Sequence, residues 1–146
     1  MSIEIVTAAN LTTTHLYEVW RIRDEVFSVE QNCREPDVDG VDLRLDCHHV
    51  WIADDSGHLR SYARVYRSDG HIRLGRVATR TQDRGLRLST AILERVIAEW
   101  GHEDIAIHAQ AHLETWYEQF GFRVNGEPFV EADIDHVPML RRGNEN

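Results

Sequence analysis

The chain of 146 residues contains no lysine; all 16 of its basic residues are arginine. That absence excludes Schiff-base chemistry and any lysine nucleophile of the protein's own. Cysteine is scarce too: Cys33 and Cys47 are too few for a disulfide framework, which makes a reducing compartment the default. No run of 18 apolar residues occurs, and the opening MSIEIVTAAN has neither a basic start nor an apolar stretch of signal length. The expectation is a cytoplasmic protein with no membrane partner. Acidic residues number 25, for a formal charge of −9, and such a chain repels phosphate backbones and anionic bilayers. Nucleic acid is therefore not an expected partner, and small cations are better ones.

What is present suits a single domain over residues 1–146, since folding at this length buries roughly 68–70% of the unfolded surface. Ile3 and Ile5 alternate with Glu4 in a strand pattern over residues 2–8. Leu16, Val19, Trp20, Val26 and Phe27 recur at helical spacing after threonines 12–14, predicting a capped helix to about residue 29. Residues 31–46, QNCREPDVDGVDLRLD, form an acidic loop with Pro36 and Gly40. Residues 48–54, 59–67 and 71–79, parted by DDSG and RSDG, read as three antiparallel strands joined by hairpin turns. Leu88, Ala91, Ile92, Val96 and Trp100 lie on one helix face that ends near Gly101. A short buried strand over 104–109, an amphipathic helix over 112–120, and strands around 122–124 and 136–140 complete the chain. The order is β, α, βββ, α, β, α, ββ, of the α/β (α+β) class.

Two segments carry the candidate chemistry. In DRGLRLSTAIL, residues 83–93, a tight turn feeds a helix, and a helix start offers unpaired N–H groups and a positive dipole end to an anion. Taken alone the turn reads equally as Asp83 capping the helix and Gly85 easing the bend. In AQAHLETWYEQFGF, residues 109–122, the aromatic run reads alone as a helix packing its rings before a terminal glycine. The many histidines, among them His48, His49, His102, His108, His112 and His136, form neither HExxH nor a cysteine-linked pair, so no metal ligand set is expected. A P-loop, GxGxxG and GxSxG are all absent.

Joined, the blocks VFSVEQNCREPDVDGVD, LGRVA, AQAHLETWYEQFGF and EADIDHVPM resemble, in this order and over nearly the whole chain, the ElaA-like branch of the GNAT superfamily of N-acetyltransferases. The resemblance implies a GNAT-like domain with a mixed, mostly antiparallel central sheet flanked by helices, and acetyl-CoA as co-substrate. Its strand–loop–helix falls on Val77, Ala78, Thr79, Arg84, Gly85, Leu86, Arg87, Leu88, Ser89 and Thr90. The superfamily's R-x-x-G-x-G/A reads here as Arg84-Gly85-Leu86-Arg87-Leu88-Ser89, with Arg87 and the small Ser89 in place of both later glycines, and a guanidinium at 87 can supply charge-assisted hydrogen bonds to phosphate. A backbone N–H near Val77–Thr79 is the implied oxyanion donor, and Tyr117 matches the superfamily's general acid. Glu30, Gln31, Cys33 and Asp39 match the branch's acceptor-side block, while Glu35 replaces an aromatic expected there. Glu30 is the expected base for the amine. His112 and His136 fall in matched blocks, with structural and substrate-contact roles both open. The expected acceptor is a small cationic amine, because the loop from Glu30 to Asp46 carries six carboxylates against Arg34 and Arg44. A non-catalytic CoA-binding or interaction module and a histidine-based metallohydrolase are the competing readings.

Overall fold

The computed structural model describes residues 2–144. Strand β1 (Glu4–Thr7) leads to helix α1 (Thr13–Arg23), where Thr12 closes the first turn by accepting a 3.1 Å hydrogen bond from the His15 N–H. Past Arg23 the helix widens into π-type turns over Asp24–Glu30, so the expected apolar stripe continues with a change of pitch. Strands β2 (His48–Ala53), β3 (Leu59–Ser68) and β4 (His71–Thr79) form the expected antiparallel meander. Asp69 and Gly70 sit at φ 52° and 79°, the paired positive values that a two-residue hairpin turn demands. Helix α2 (Leu88–Trp100), β5 (Ile105–Gln110), α3 (Glu114–Glu118), β6 (Arg123–Val124), β7 (Phe129–Glu131) and β8 (Ile134–Arg141) follow.

The sheet runs β1-β2-β3-β4-β5-β8-β6, with β7 also paired to β8. Only the β4–β5 pair is parallel, and α2 makes the crossover that a parallel pair needs. Two features depart from expectation. Strand β7 was not anticipated: its hairpin turns on Ala132 and Asp133, at φ 53° and 61°, with none of the Gly or Asn residues that advertise such a turn. Helix α3 is shorter than 112–120, because Ala111–Leu113 form a tighter 3-10 turn before it.

The sheet is buried on both faces. Val50 and Ile52 of β2 pack with Ile92, Leu93 and Val96 of α2, whereas Trp51 between them packs with Val19, Ile22 and Val26 of α1. Burying both faces at roughly 25 cal/mol per Å² favours apolar residues at every position, hence the unbroken run VWIA. Tyr117 and Phe122 belong to the α2 side.

Candidate active site

The site begins with a parting of strands. β4 and β5 pair only at Ile72↔Ile105 and Arg73↔Ala106, although β4 continues to Thr79 and β5 to Gln110. The cause lies on the other edge of β4. Its register with β3 jumps from Arg64↔Gly75 to Tyr62↔Ala78, so Arg76 and Val77 both oppose Ala63. Arg76 takes φ 50° at this bulge, and a bulge bends its strand and sharpens its twist. The two strands diverge around a cleft of about 470 Å³. Gly75 and Val77 of β4, Ile107 and Gln110 of β5, and Tyr117 of α3 line it, together with the loop from Gln31 to Asp39 and the β7–β8 hairpin. Of the three residues expected to flank an oxyanion, Val77 lines the cleft, Ala78 is buried, and the Thr79 hydroxyl bonds Ser61 at 2.8 Å and Ser89 at 2.6 Å.

At the start of α2 the expected turn is present but its cap is not. Asp83 accepts from Arg60 at 3.0 Å and from Arg80, tying the turn to β3 and not to the helix. The N-cap position is Arg87, at φ 59° and with no side-chain cap bond; Gly85 at φ 82° eases the bend as expected. The first N–H groups of α2 therefore stay open to an anion, and Arg87, which precedes them, is exposed. Arg84 is already engaged. Its guanidinium holds both oxygens of Glu30 at 2.5 and 2.6 Å and donates to the Thr79 carbonyl at 3.1 Å. Those hydrogen bonds keep the exposed Glu30 carboxyl below its ordinary range, which weakens it as a base, and Glu30 is not among the residues lining the cleft.

The acidic loop is not a free negative surface. Asp37, Asp39 and Asp42 alternate with Arg23, Arg64 and Arg76 in one network. Arg23 reaches Asp37 at 2.9 Å and Asp42 at 2.6 Å, Arg64 reaches Asp42 at 3.0 Å and Asp39 at 2.8 Å, and Arg76 reaches Asp37 at 3.0 Å. Three charges of each sign cancel. Burial alone would raise the Asp42 carboxyl, but hydrogen bonds from Arg23 and Arg64 outweigh it and lower it to about 2. Asp46 pairs with Arg44 at 2.7 Å. Of the loop's six carboxylates only Glu35 lacks an arginine; it accepts from the Ala132 N–H at 3.3 Å. Neither Arg64 nor Arg76 stood out in the sequence as a site residue. The available signal was an arginine inside the apolar run SYARVY of β3, where a buried charge demands partners.

The β7–β8 hairpin brings in the remaining groups. Glu131 lies 3.8 Å from both His108 and His136, Phe129 stacks on His136 with centroids 5.6 Å apart, and Gln110 donates to Gln31 at 3.1 Å. His112 is exposed and outside the cleft lining. Among the described residues no three His, Cys, Asp or Glu side chains are grouped to hold a metal. Across the cleft Tyr117 is 6% exposed, and burial pushes its phenol up.

Comparison with known proteins agrees with this architecture. The acetyltransferase (GNAT) domain family matches residues 41–142. The protein ElaA of Escherichia coli is 36% identical over 142 residues, covering 91% of each chain. The crystal structure of Escherichia coli ElaA superposes with a TM-score of 0.86 at 33% identity, covering 97% of this chain and 100% of that one. An acyl-CoA N-acyltransferase from Pseudomonas aeruginosa superposes with a TM-score of 0.89 at 35% identity, covering 97% and 99%.

Proposed function

Because the chain belongs to the GNAT acetyltransferase family, among the relatives of ElaA, we propose that it moves an acetyl group from acetyl-CoA to a primary amine. The observation that carries this reading is the parting of β4 from β5 beyond Arg73. Beyond Arg73 the edge of β4 that faces β5 has no strand partner, which leaves backbone N–H groups on that edge free, and a thioester lying along β4 can use one at Val77 for the oxyanion that forms on attack. The same strand leads through the turn to the open N-terminus of α2, where Arg87 and the N–H groups of Leu88, Ser89 and Thr90 suit the pyrophosphate. Arg84 joins them only by exchanging Glu30 for phosphate.

Tyr117 then serves the departing sulfur. A phenol's ordinary pKa of about 10 exceeds a thiol's of about 8.5, and burial widens that gap here, so the hydroxyl stabilises the thiolate by donating a hydrogen bond more than by giving up its proton. The acceptor is a small cationic amine. With the loop aspartates neutralised, the attraction comes from Glu35 and Glu131 at the cleft and from the net charge of −9. Among the described residues no helix is long and apolar enough to cross a membrane.

The test is release of free thiol from acetyl-CoA across a panel of primary amines. Turnover that requires both components supports the reading. Calorimetric CoA binding without thiol release on any amine would leave a CoA-binding module in its place.

A further inference from the structure

We infer that His136 is the base that takes the proton from the acceptor's ammonium, with Glu131 stabilising the imidazolium that results; the inference rests on the acyl-transfer reading above. The His136 side chain is 8% exposed, yet it lines the cleft. Its Nδ1 lies 2.7 Å from the carbonyl oxygen of Ile134. A carbonyl can only accept, so Nδ1 carries the hydrogen and Nε2 presents a lone pair. Glu131 Oε2 stands 3.8 Å from that Nε2, too far for a hydrogen bond and close enough for a direct charge–charge interaction with an imidazolium.

The neighbouring imidazole does not compete. His108 Nε2 accepts from the Arg73 guanidinium, which takes its lone pair and leaves the hydrogen on Nδ1 facing Glu131 at 3.8 Å. Burial first, and then the Arg73 charge, lower its affinity for a proton. Glu30 is held by Arg84 and lies off the cleft lining. The titratable and charged groups nearest His136 are Glu131 on β7, His108 on β5 with Arg73 of β4 behind it, and Glu35 across the hairpin turn; Tyr117, Tyr66, Cys33 and the mutually paired Asp37, Asp39, Arg64 and Arg76 line the same cleft.

Placement supports the assignment. Side chains alternate along a strand, so His108 and Gln110, and His136 paired with Gln110, lie on the sheet face opposite the core residues Ile107, Ala109 and Val137. Tyr117 packs on that core face. The base and the sulfur's donor therefore approach the parting of β4 and β5 from opposite sides, so one can serve the nitrogen and the other the sulfur of a tetrahedral intermediate without competing for the same space. An ammonium gives one proton to Nε2, which passes it to solvent. The neutral amine forms the C–N bond and the C–S bond breaks. The nitrogen's second proton ends on the thiol sulfur, giving amide and free CoA.

The experiment is a pH–rate profile of kcat/KM for the amine, with acetyl-CoA saturating, on wild type, His136→Asn and Glu131→Gln. An asparagine amide can still donate to Ile134, so H136N keeps the fold's hydrogen bond and removes the base. Its kcat/KM is expected to fall about 10²–10⁴-fold and to lose the acid limb, while CoA affinity by calorimetry is unchanged. E131Q, at a half-exposed side chain that leaves the core intact, tests the same idea where H136N fails to fold. Removing the negative charge disfavours the imidazolium, so the acid limb moves to lower pH. Activity of folded H136N within about threefold of wild type with the limb intact, or an unmoved limb in E131Q, overturns the assignment while leaving acyl transfer standing. A wild type that acetylates no amine overturns both.

Discussion

Tyr117 is enclosed by Trp116 and Phe122, with ring centroids 4.9 and 5.8 Å away, and that enclosure keeps its hydroxyl protonated. Replacing it with phenylalanine removes the donor proposed to act only as charge forms on sulfur, so kcat should fall about 10²–10⁴-fold with the KM for acetyl-CoA little changed. Steady-state kinetics that leave kcat within a factor of about two would move the role to another group. The two arginines of the α2 turn should differ. Arg87 has no ion-pair partner among the described residues, whereas Arg84 gives up Glu30 before it can serve a phosphate. Arg87→Ala is expected to cost about 1.5–3 kcal/mol, roughly ten- to a hundredfold in CoA affinity, and Arg84→Ala less. Calorimetry giving the reverse order would contradict an anion site centred on Arg87.

At the scale of elements, the loop from Gln31 to Asp46 is held to the sheet by charge more than by apolar contact. Arg23 of α1, Arg64 of β3 and Arg76 of the β4 bulge converge on its three aspartates. Asp42 has a side chain only 5% exposed, is shared by Arg23 and Arg64, and cannot be removed without stranding buried guanidinium groups. Asp42→Ala should cost about 3–5 kcal/mol, lowering Tm by on the order of 10 °C. The pH dependence has a definite sign. The folded carboxyl is lowered from 3.8 to about 2, so its stabilisation is complete above the unfolded value and is lost as pH falls from about 4 through 2. Denaturant titrations of wild type should lose on the order of 2 kcal/mol across that window from this group, and the Asp42→Ala curve should be flatter by that amount. Equal slopes would mean that the network does not bear on stability.

For the whole molecule, the net charge of −9 contrasts with a cleft whose own loop is neutralised, so the attraction of the proposed cationic acceptor should be partly long-range. Screening shortens the Debye length from about 10 Å at 0.1 M salt to about 3 Å at 1 M, and the KM for a diamine should rise with salt more than that for a neutral acceptor. Turnover best on anionic acceptors without salt dependence would refute the cationic class. Every strand and helix but β7, the meander with its DDSG and RSDG turns, the α2 turn and the family were legible in the sequence, because local spacing, turn chemistry and linear motifs are properties of neighbouring residues. Strand β7 was not, since Ala132 and Asp133 adopt a turn their types do not advertise. The pairing of Glu30 with Arg84, the neutralisation of Asp37, Asp39 and Asp42, and the meeting of His108, Glu131 and His136 were not legible either. Each joins groups on separate elements, up to 54 residues apart for Glu30 and Arg84. A carboxylate or imidazole acquires its chemistry from the charges within a few ångströms of it, and only the packing of helices and loop against the sheet decides which those are.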